Sequence, residues 1–523
     1  MTSHGAAFSA APLARPARRW NIPWHPVAVP VAFIFTVWST ASAQPVWLVR
    51  PLLATVATVL ILTLALTTLL GDRDRGALAS SALVVALVVD DLRVSALLAV
   101  VAVLIVAHGL LSRGRSTRLG PLLTRALSVL GAALLAVTLL SAGLAGSLTA
   151  AAEDYGHDLD RSGPANAVDP SAPDIYVILL DGYPGDDAAA LAPEFDADAF
   201  PESLEARHFD VQRGSRTNYL VTRLVLASML EGRHINQMEG LGPQRLASLD
   251  ARALSRRIDD ASLLHVLHEH GYEQVFVAAG WSHLGPRRVD RLVEPPQLNE
   301  FEVVLLRVSG IGRILATLTP NLLSDQARAR LDETMAVASS IAAEPHDRPR
   351  FVFVHVPAPH NPAVFASDGR PVNGSPQSEI GTMDVPVMSR EARIERTYEF
   401  SAYVGARTVE LVDDILAAED EPPVIVIMSD HGPGIDFDVS DPLGSDLDDR
   451  TSNFLAILSP GKPDLFPPGT TPVNVLSRVL NAYLGTALPL QPDTVWAWPT
   501  GSSVLELVAV DRSSLLGRAA GVR

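Results

Sequence analysis

The chain has 523 residues, contains no cysteine and carries a formal net charge of −17. Its mean hydropathy of +0.22 is high for a soluble protein of this length. Charge is unevenly divided, because residues 1–150 hold 11 arginines, no lysine and four acidic residues, a net of +7, while the remainder holds 30 basic and 54 acidic residues, a net of −24. The acidic part argues against nucleic acid as a partner, since phosphate backbones are bound by Lys and Arg. The lack of cysteine excludes disulfides, Cys-ligated zinc, iron–sulfur clusters and thiol nucleophiles.

Five apolar stretches within residues 1–150 predict an all-helical transmembrane domain of about five helices. They cover residues 26–42, 47–70, 76–89, 94–111 and 126–148. A membrane span needs about 20 apolar residues, and about 17 are tolerated. The second, fourth and fifth stretches meet this requirement, the first is near the limit, and the third is short enough to form a tilted hairpin with its neighbour.

The arginines of this region predict its orientation in the membrane. They precede the first stretch (Arg15, Arg18, Arg19) and lie in the loops after the second (Arg73, Arg75) and the fourth (Arg113, Arg115, Arg118, Arg125). Loops rich in Lys and Arg stay on the cytoplasmic side, so the chain from residue 150 onward is expected outside the cell membrane. A cleaved signal peptide ending at Ala41-Ser42-Ala43 is the alternative for the first stretch, and it leaves the large segment outside as well.

Residues 151–172 are polar, with Gly, Pro and Asp, and predict a juxtamembrane linker. Residues 173–500 follow as the extracytoplasmic domain, and 501–523 form a tail without an assigned role. In the extracytoplasmic domain, unbroken apolar runs at 175–180, 275–279, 351–356 and 424–428 predict strands buried on both faces. They alternate with helix-like stretches such as 261–270 and 390–418, which predicts an α/β domain with a mostly parallel sheet covered by helices.

Acidic and histidine side chains follow each of the four predicted strands. They are Asp181 after the first, His283 after the second, His360 after the third, and Asp430 with His431 after the fourth. Ligands gather beyond the carboxyl ends of parallel strands, so these side chains predict a metal site with anion-binding histidines. Carboxylate oxygens with one imidazole favour Mn²⁺ or Zn²⁺, with Ca²⁺ or Mg²⁺ as alternatives.

A nucleophilic hydroxyl is expected beside such an ion, at a helix N-terminus where free N–H groups stabilise an anion. Thr222 occupies this position, between the polar run 214–218 and an apolar helix-like segment that starts at Leu224. Two alternatives stay open: Thr222 only caps the helix, or Thr217 is the nucleophile.

The motifs resemble the sulfatase-like branch of the alkaline phosphatase superfamily. The chain as a whole resembles its membrane-anchored members, the lipoteichoic acid synthase-like and phosphoethanolamine transferase-like proteins. SDHG at 429–432 is the most specific motif, and LDGY at 180–183, PAPHNP at 357–362 and GWSHLG at 280–285 accompany it. The sulfatase C-x-P-S-R motif is absent, so formylglycine cannot form at residue 222, and the Lys of the sulfatase GKWHLG motif is missing.

The resemblance implies specific roles for these residues. Asp181, Thr222, Asp430 and His431 would hold the metal ion, with Thr222 as the catalytic nucleophile. His360, His283 and Arg450 would bind the anionic substrate, although Arg450 could equally be a solvated surface residue. Thr222 lies ten residues before Gly232-Arg233, which is where the family places its nucleophile.

The resulting hypothesis is a membrane-anchored, metal-dependent phosphotransferase or phosphodiesterase that acts outside the membrane on lipid-linked or cell-envelope substrates. A lipid or envelope glycopolymer is the expected partner, and the oligomeric state is left open. The alternatives are a sulfatase-like hydrolase of sulfuric or phosphoric esters, and a non-catalytic envelope assembly protein that retains the fold.

Overall fold

The computed structural model describes residues 23–41, 43–112, 119–152, 172–186, 191–237, 251–281, 284–372, 388–502 and 505–510. They form two compact units. One consists of Leu52–Leu139 with the chain up to Phe33, and the other of Ile34–Pro51 with the chain from Leu140. Most of the predicted linker lies outside the described residues.

Every apolar stretch of the N-terminal region is helical, as predicted. The helices are α1 (His25–Ala41), α2 (Val49–Leu70, after a 3₁₀ turn at Pro45–Leu48), α3 (Arg73–Val88), α4 (Leu92–Leu111) and α5 (Leu119–Ala152). Asp72 and Asp91 cap the N-termini of α3 and α4, because their carboxylates accept hydrogen bonds from backbone N–H groups of the first turn.

Within the described residues, three helical stretches are long and apolar enough to cross a membrane: Pro45–Leu70, Leu92–Leu111 and Leu119–Ser141. Helix α1 has 17 residues and α3 has 16. At 1.5 Å per residue, α3 is roughly 24 Å long, which is less than a hydrocarbon core of about 30 Å. The count of five spans therefore stays a prediction.

The second unit is built on a seven-stranded sheet. Its strands are β1 (Ile175–Leu180), β2 (Asp210–Val211), β3 (Glu273–Val277), β4 (Arg291–Val293), β5 (Arg350–Val356), β6 (Val424–Met428) and β7 (Leu455–Leu458). Their order is β2-β7-β6-β1-β5-β3-β4. The five strands from β6 to β4 are parallel, and β7 is antiparallel to both of its neighbours. The predicted fold class, an all-α N-terminal region followed by a mostly parallel α/β domain, is confirmed.

Ten helices are described in the second unit beyond α5. They are α6 (Ala199–Glu205), α7 (Thr222–Glu231), α8 (Ala251–Asp259), α9 (Ser262–Glu269), α10 (Glu300–Arg307), α11 (Gly310–Leu318), α12 (Leu322–Ala342), α13 (Arg390–Ala418), α14 (Leu447–Thr451) and α15 (Pro472–Leu484). Two further strands, β8 (Val495–Ala497) and β9 (Val508–Val510), pair antiparallel. Strand β9 thus lies in the tail that the sequence left unassigned.

Both faces of the sheet are covered, which explains the unbroken apolar runs. Residues of β1 alternate between two cores: Ile175, Val177 and Leu179 pack with α7, α8, α9 and α15, whereas Tyr176, Ile178 and Leu180 pack with α12 and α13. All six are completely buried. A strand with two buried faces needs apolar residues at every position rather than at every second one.

The register of the central strands places their carboxyl ends together. Leu180 of β1 pairs with Val356 of β5, and Leu179 pairs with Met428 of β6. The loops that begin at Asp181, Pro357 and Ser429 therefore leave the sheet at one edge.

Candidate metal centre and nucleophile

Asp181, Asp430 and His431 meet at this edge. Their ligand atoms all lie within 4.8 Å of one another, and all three side chains are buried. His431 Nε2 lies 3.1 Å from Asp430 Oδ2 and 4.0 Å from Asp181 Oδ1. The structure thus brings together three of the four predicted metal ligands from the ends of β1 and β6.

The hydrogen bonds of His431 decide which of its nitrogens faces the carboxylates. Nδ1 lies 2.9 Å from the Gly432 carbonyl, which can only accept, so Nδ1 carries the proton and donates. Burial, and then the charge of Arg450, lowers the pKa of His431 well below its ordinary 6.5. A neutral ring protonated on Nδ1 has a lone pair on Nε2, so Nε2 can accept a hydrogen bond or bind a cation.

Two carboxylate oxygens at this point, Asp181 Oδ1 and Asp430 Oδ2, are buried and accept no hydrogen bond from the part of the chain that the structure describes. An uncompensated buried carboxylate is costly, and buried charges are normally paired or bind a metal. The centre therefore fits a divalent cation. Two carboxylates and one imidazole are a donor set that Mn²⁺ and Zn²⁺ accept.

The two carboxyl groups have different pKa values. Burial and the neighbouring charge of Asp181 raise the pKa of Asp430 to about 6. Burial opposes ionisation of Asp181 as well, but His360 and His355 outweigh it and lower the pKa of this carboxyl. Asp181 is therefore the carboxyl group of the two that stays ionised to lower pH.

Two glycines fit the backbone around these side chains for different reasons. Gly182 has a left-handed φ of +74°, and its N–H donates to Asp430 Oδ1 at 3.0 Å. At Gly432 a Cβ would collide with the backbone carbonyl of Asp449. The glycine of the DG pair is thus explained by its backbone conformation, and that of the HG pair by the close approach of another backbone segment.

Thr222 is the first residue of α7, and its hydroxyl lies beside the candidate metal ligand His431. Oγ1 lies 3.4 Å from His431 Nε2. The residue that caps α7 is Val221, with no side-chain capping bond, so the interpretation of Thr222 as only a helix cap is not supported. The other candidate, Thr217, is completely buried and donates its hydroxyl to the Tyr219 carbonyl at 3.1 Å.

His360 lies at the rim of the site. Its Nδ1 donates to the Asn361 carbonyl at 2.9 Å, and its ring packs edge-on against Trp281 with 4.8 Å between centroids. The role of His360 as a substrate contact, through the remaining nitrogen Nε2, stays a prediction. His283 lies outside the described residues, so its predicted role stays a prediction.

Arg450 is held by the backbone carbonyl of Leu220, two residues before Thr222. Nε and Nη2 donate to the Leu220 carbonyl at 2.8 and 2.6 Å, and the guanidinium lies 4.9 Å from the centroid of the Phe437 ring. Burial lowers its pKa. Arg450 is therefore not the freely solvated residue of the alternative interpretation, and its role as an anion contact stays a prediction.

One residue of the site was missed by the sequence analysis. His355, inside β5, is completely buried, and its Nε2 lies 3.3 Å from Asp181 Oδ2. Its Nδ1 lies 3.3 Å from the Leu284 carbonyl. A histidine in an otherwise apolar strand, FVFVHV, was the available signal, because a buried imidazole needs polar partners.

No protein-family model matches the chain, and neither does any curated protein sequence. Solved structures that the chain matches include integral membrane lipooligosaccharide phosphoethanolamine transferase A (EptA) of Neisseria meningitidis, with 12% identity over 88% of this chain and 94% of that one and a TM-score of 0.38. BT1596, a 2-O GAG sulfatase, is 17% identical over 61% of this chain and 72% of that one, with a TM-score of 0.34. A protein of the alkaline phosphatase superfamily from Vibrio parahaemolyticus is 12% identical over 64% and 74%, with a TM-score of 0.36.

With identities of 17% or less and TM-scores of 0.34 to 0.38, these likenesses carry no argument about the activity of this chain. Function must therefore be inferred from the side chains of the site.

Proposed function

We propose that this chain is a membrane-anchored, metal-dependent phosphotransferase or phosphodiesterase whose catalytic domain acts outside the membrane through Thr222. The observation that carries the proposal is the convergence of unpaired carboxylate oxygens and an imidazole lone pair beside the Thr222 hydroxyl. A hydroxyl at the start of a helix and next to a cation site is placed to act as a nucleophile.

In this proposal Asp181, Asp430 and His431 would hold the ion, with Thr222 as the fourth ligand. A divalent ion bound there would lower the pKa of the hydroxyl and polarise the ester. The first N–H groups of α7, together with His360, would stabilise the charge of the transferred group.

The reaction takes place in two displacements. Thr222 Oγ1 forms a bond to phosphorus while the bond to the leaving alcohol breaks, and the leaving oxygen takes up a proton as the hydroxyl proton is lost. An acceptor alcohol or water then displaces Thr222 and gives up its own proton. Attachment to the bilayer favours a lipid or envelope glycopolymer as donor or acceptor.

Turnover of chromogenic esters by the full chain tests the proposal. Bis-nitrophenyl phosphate, nitrophenyl phosphate and nitrophenyl sulfate are compared after chelation and after addition of Mn²⁺ or Zn²⁺. We expect metal-dependent cleavage of a phosphate ester. Cleavage of the sulfate alone would favour the sulfatase-like hydrolase instead, and no turnover of any ester with bound metal would favour the assembly protein.

A further inference from the structure

Helix α11 and the residue before its cap expose an apolar surface in a domain that is otherwise strongly acidic. Val308 is 41% exposed, Ile311 42%, Ile314 46% and Leu318 72%. The spacing of three and four residues from Ile311 to Ile314 and Leu318 places these side chains along one stripe of α11. We name Val308, Ile311, Ile314 and Leu318 the α11 stripe.

The charge around the α11 stripe differs from that of the rest of the domain. Residues 303–324 contain Arg307 and Arg313 and no acidic residue, whereas the chain after residue 150 carries a net charge of −24. An apolar helical stripe flanked by arginines is the pattern of helices that lie in the interface of an anionic bilayer. An acidic surface would instead be repelled by such a bilayer.

A second observation indicates where this part of the domain lies. Arg50 forms an ion pair with Glu302 of α10 and donates to the carbonyls of Pro296 at 2.9 Å and Gln297 at 3.0 Å. Trp47 donates its indole N–H to Glu294 at 3.1 Å. These contacts lie within the second unit, which includes Ile34–Pro51.

Trp47 and Arg50 belong to the first turns of the candidate membrane span Pro45–Leu70. Trp and Arg at the end of a span are typical of the membrane–water interface. Helix α10 has eight residues, so it is roughly 12 Å long. Roughly the length of α10 therefore separates the start of α11 from Trp47 and Arg50, which lie at the end of the candidate span.

From these observations we infer that the α11 stripe inserts into the outer leaflet of the membrane in which the chain is anchored. The stripe contacts the region where lipid headgroups meet acyl chains, and Ile314 and Leu318 lie among the acyl chains. This inference depends on membrane anchoring and not on the chemistry proposed for Thr222.

The absence of cysteine makes a direct test available. Ile314→Cys and Leu318→Cys variants of the full chain are labelled with the environment-sensitive fluorophore NBD and reconstituted into phosphatidylglycerol-containing vesicles. Val439→Cys is the matched control, because Val439 is 54% exposed but lies between Asp438 and Asp441. We expect blue-shifted emission and quenching by acyl-chain doxyl lipid at positions 314 and 318, and neither effect at 439.

Other occupants give different results. Emission typical of water at 314 and 318 would overturn the inference. A blue shift without doxyl quenching would overturn it in favour of burial against protein. If that blue shift also disappears on dilution of protein into excess lipid, the stripe contacts a second copy of the chain instead. Ester turnover by the same labelled variants is measured separately, so that failure of the proposed chemistry is not mistaken for failure of this inference.

Discussion

Asp181 and Asp430 bring two carboxylates into a site without access to solvent, and a neutral histidine faces both. Such a centre opposes folding unless a cation is bound, because buried like charges repel and lose their hydration. Metal binding to the folded state alone stabilises it by about 2.7 kcal/mol at 100 times the dissociation constant. Metal content and thermal stability should therefore change together.

Replacing Asp430 by Asn keeps the size of the side chain and removes one ligand charge. We expect the variant to lose bound metal and turnover, while the Tm of its chelated form is equal to or above that of the chelated wild type. Metal analysis and thermal unfolding with and without Mn²⁺ or Zn²⁺ measure both effects. His360→Ala is the control, since it should lower turnover with the metal retained, and full activity of Asp430→Asn would exclude this metal site.

The nucleophile can be identified by trapping. Thr222→Ala should lower turnover on the order of 10³-fold or more, as removal of a catalytic nucleophile does, and should abolish a phosphorylated intermediate. Thr222→Ser should retain part of the activity, because a primary alcohol can make the same attack. Mass spectrometry of the quenched enzyme locates the phosphate, and a phosphate on Thr217 would contradict the assignment.

Asp449, which lies outside the candidate metal centre, predicts that folding stability depends on pH. Burial raises its pKa to about 6 from an ordinary 3.8, and its Oδ2 accepts the Ile435 N–H at 2.6 Å. The folded state thus binds this proton more tightly than the unfolded state. The stability contribution is fully present below pH 4 and is lost as the pH rises through 6.

Asp449→Asn cannot titrate, so we expect its stability to fall less than that of the wild type between pH 4 and pH 6.5. Unfolding of both proteins in denaturant at several pH values, with metal chelated, gives this difference. Parallel pH profiles for the two proteins would contradict the shift.

At the scale of elements, helix α7 connects the candidate nucleophile to the core. It begins at Thr222, buries Leu224, Leu226 and Leu230, and ends at Glu231, after which Gly232 caps it with a left-handed φ of +67°. A Cβ at Gly232 would lie 2.8 Å from Ser477 Oγ and 3.3 Å from Leu263 Cδ1. The end of α7 is therefore restricted both by its backbone conformation and by its packing.

Gly232→Ala should cost about 1–3 kcal/mol of folding free energy, the sum of the left-handed strain and the crowding of its neighbours. Gly485→Ala is the matched control, because Gly485 ends α15 with a φ of +66° and has open space around the added Cβ. Comparing the Tm of the two full-length variants isolates the packing contribution. Equal losses of Tm would show that crowding of the added Cβ against Ser477 and Leu263 does not destabilise the protein.

At the scale of the whole molecule, the division of charge predicts the topology. The arginine-rich loops of the N-terminal region and the acidic remainder of the chain belong on opposite sides of the membrane if those loops are cytoplasmic. A reporter enzyme that is active only outside the cytoplasm should be active when fused at residue 160 and inactive when fused at residue 116. The reverse pattern would exclude both the membrane orientation and the external placement of the active site.

Much of this protein could be predicted from the sequence because its signals are local. Strands β1, β5 and β6 were predicted to within one residue, since burial on both faces leaves uninterrupted apolar runs. The candidate ligands were predicted from a general rule, that side chains following parallel strands share an edge. The helices of the N-terminal region were predicted from apolar length alone.

The remaining features depended on which atoms face each other across the sheet. His355 looked like part of an apolar strand until β5 was placed beside β1, next to Asp181. The sequence favoured Thr222 over Thr217, and the direction of the two hydroxyls supports that prediction. The partner of Arg450 is a backbone carbonyl 230 residues earlier in the chain. The sequence by itself thus determined the elements and the edge at which the site is formed, because periodicity reports burial. Only the tertiary structure decided which lone pairs converge, because hydrogen-bond direction depends on strand order and register.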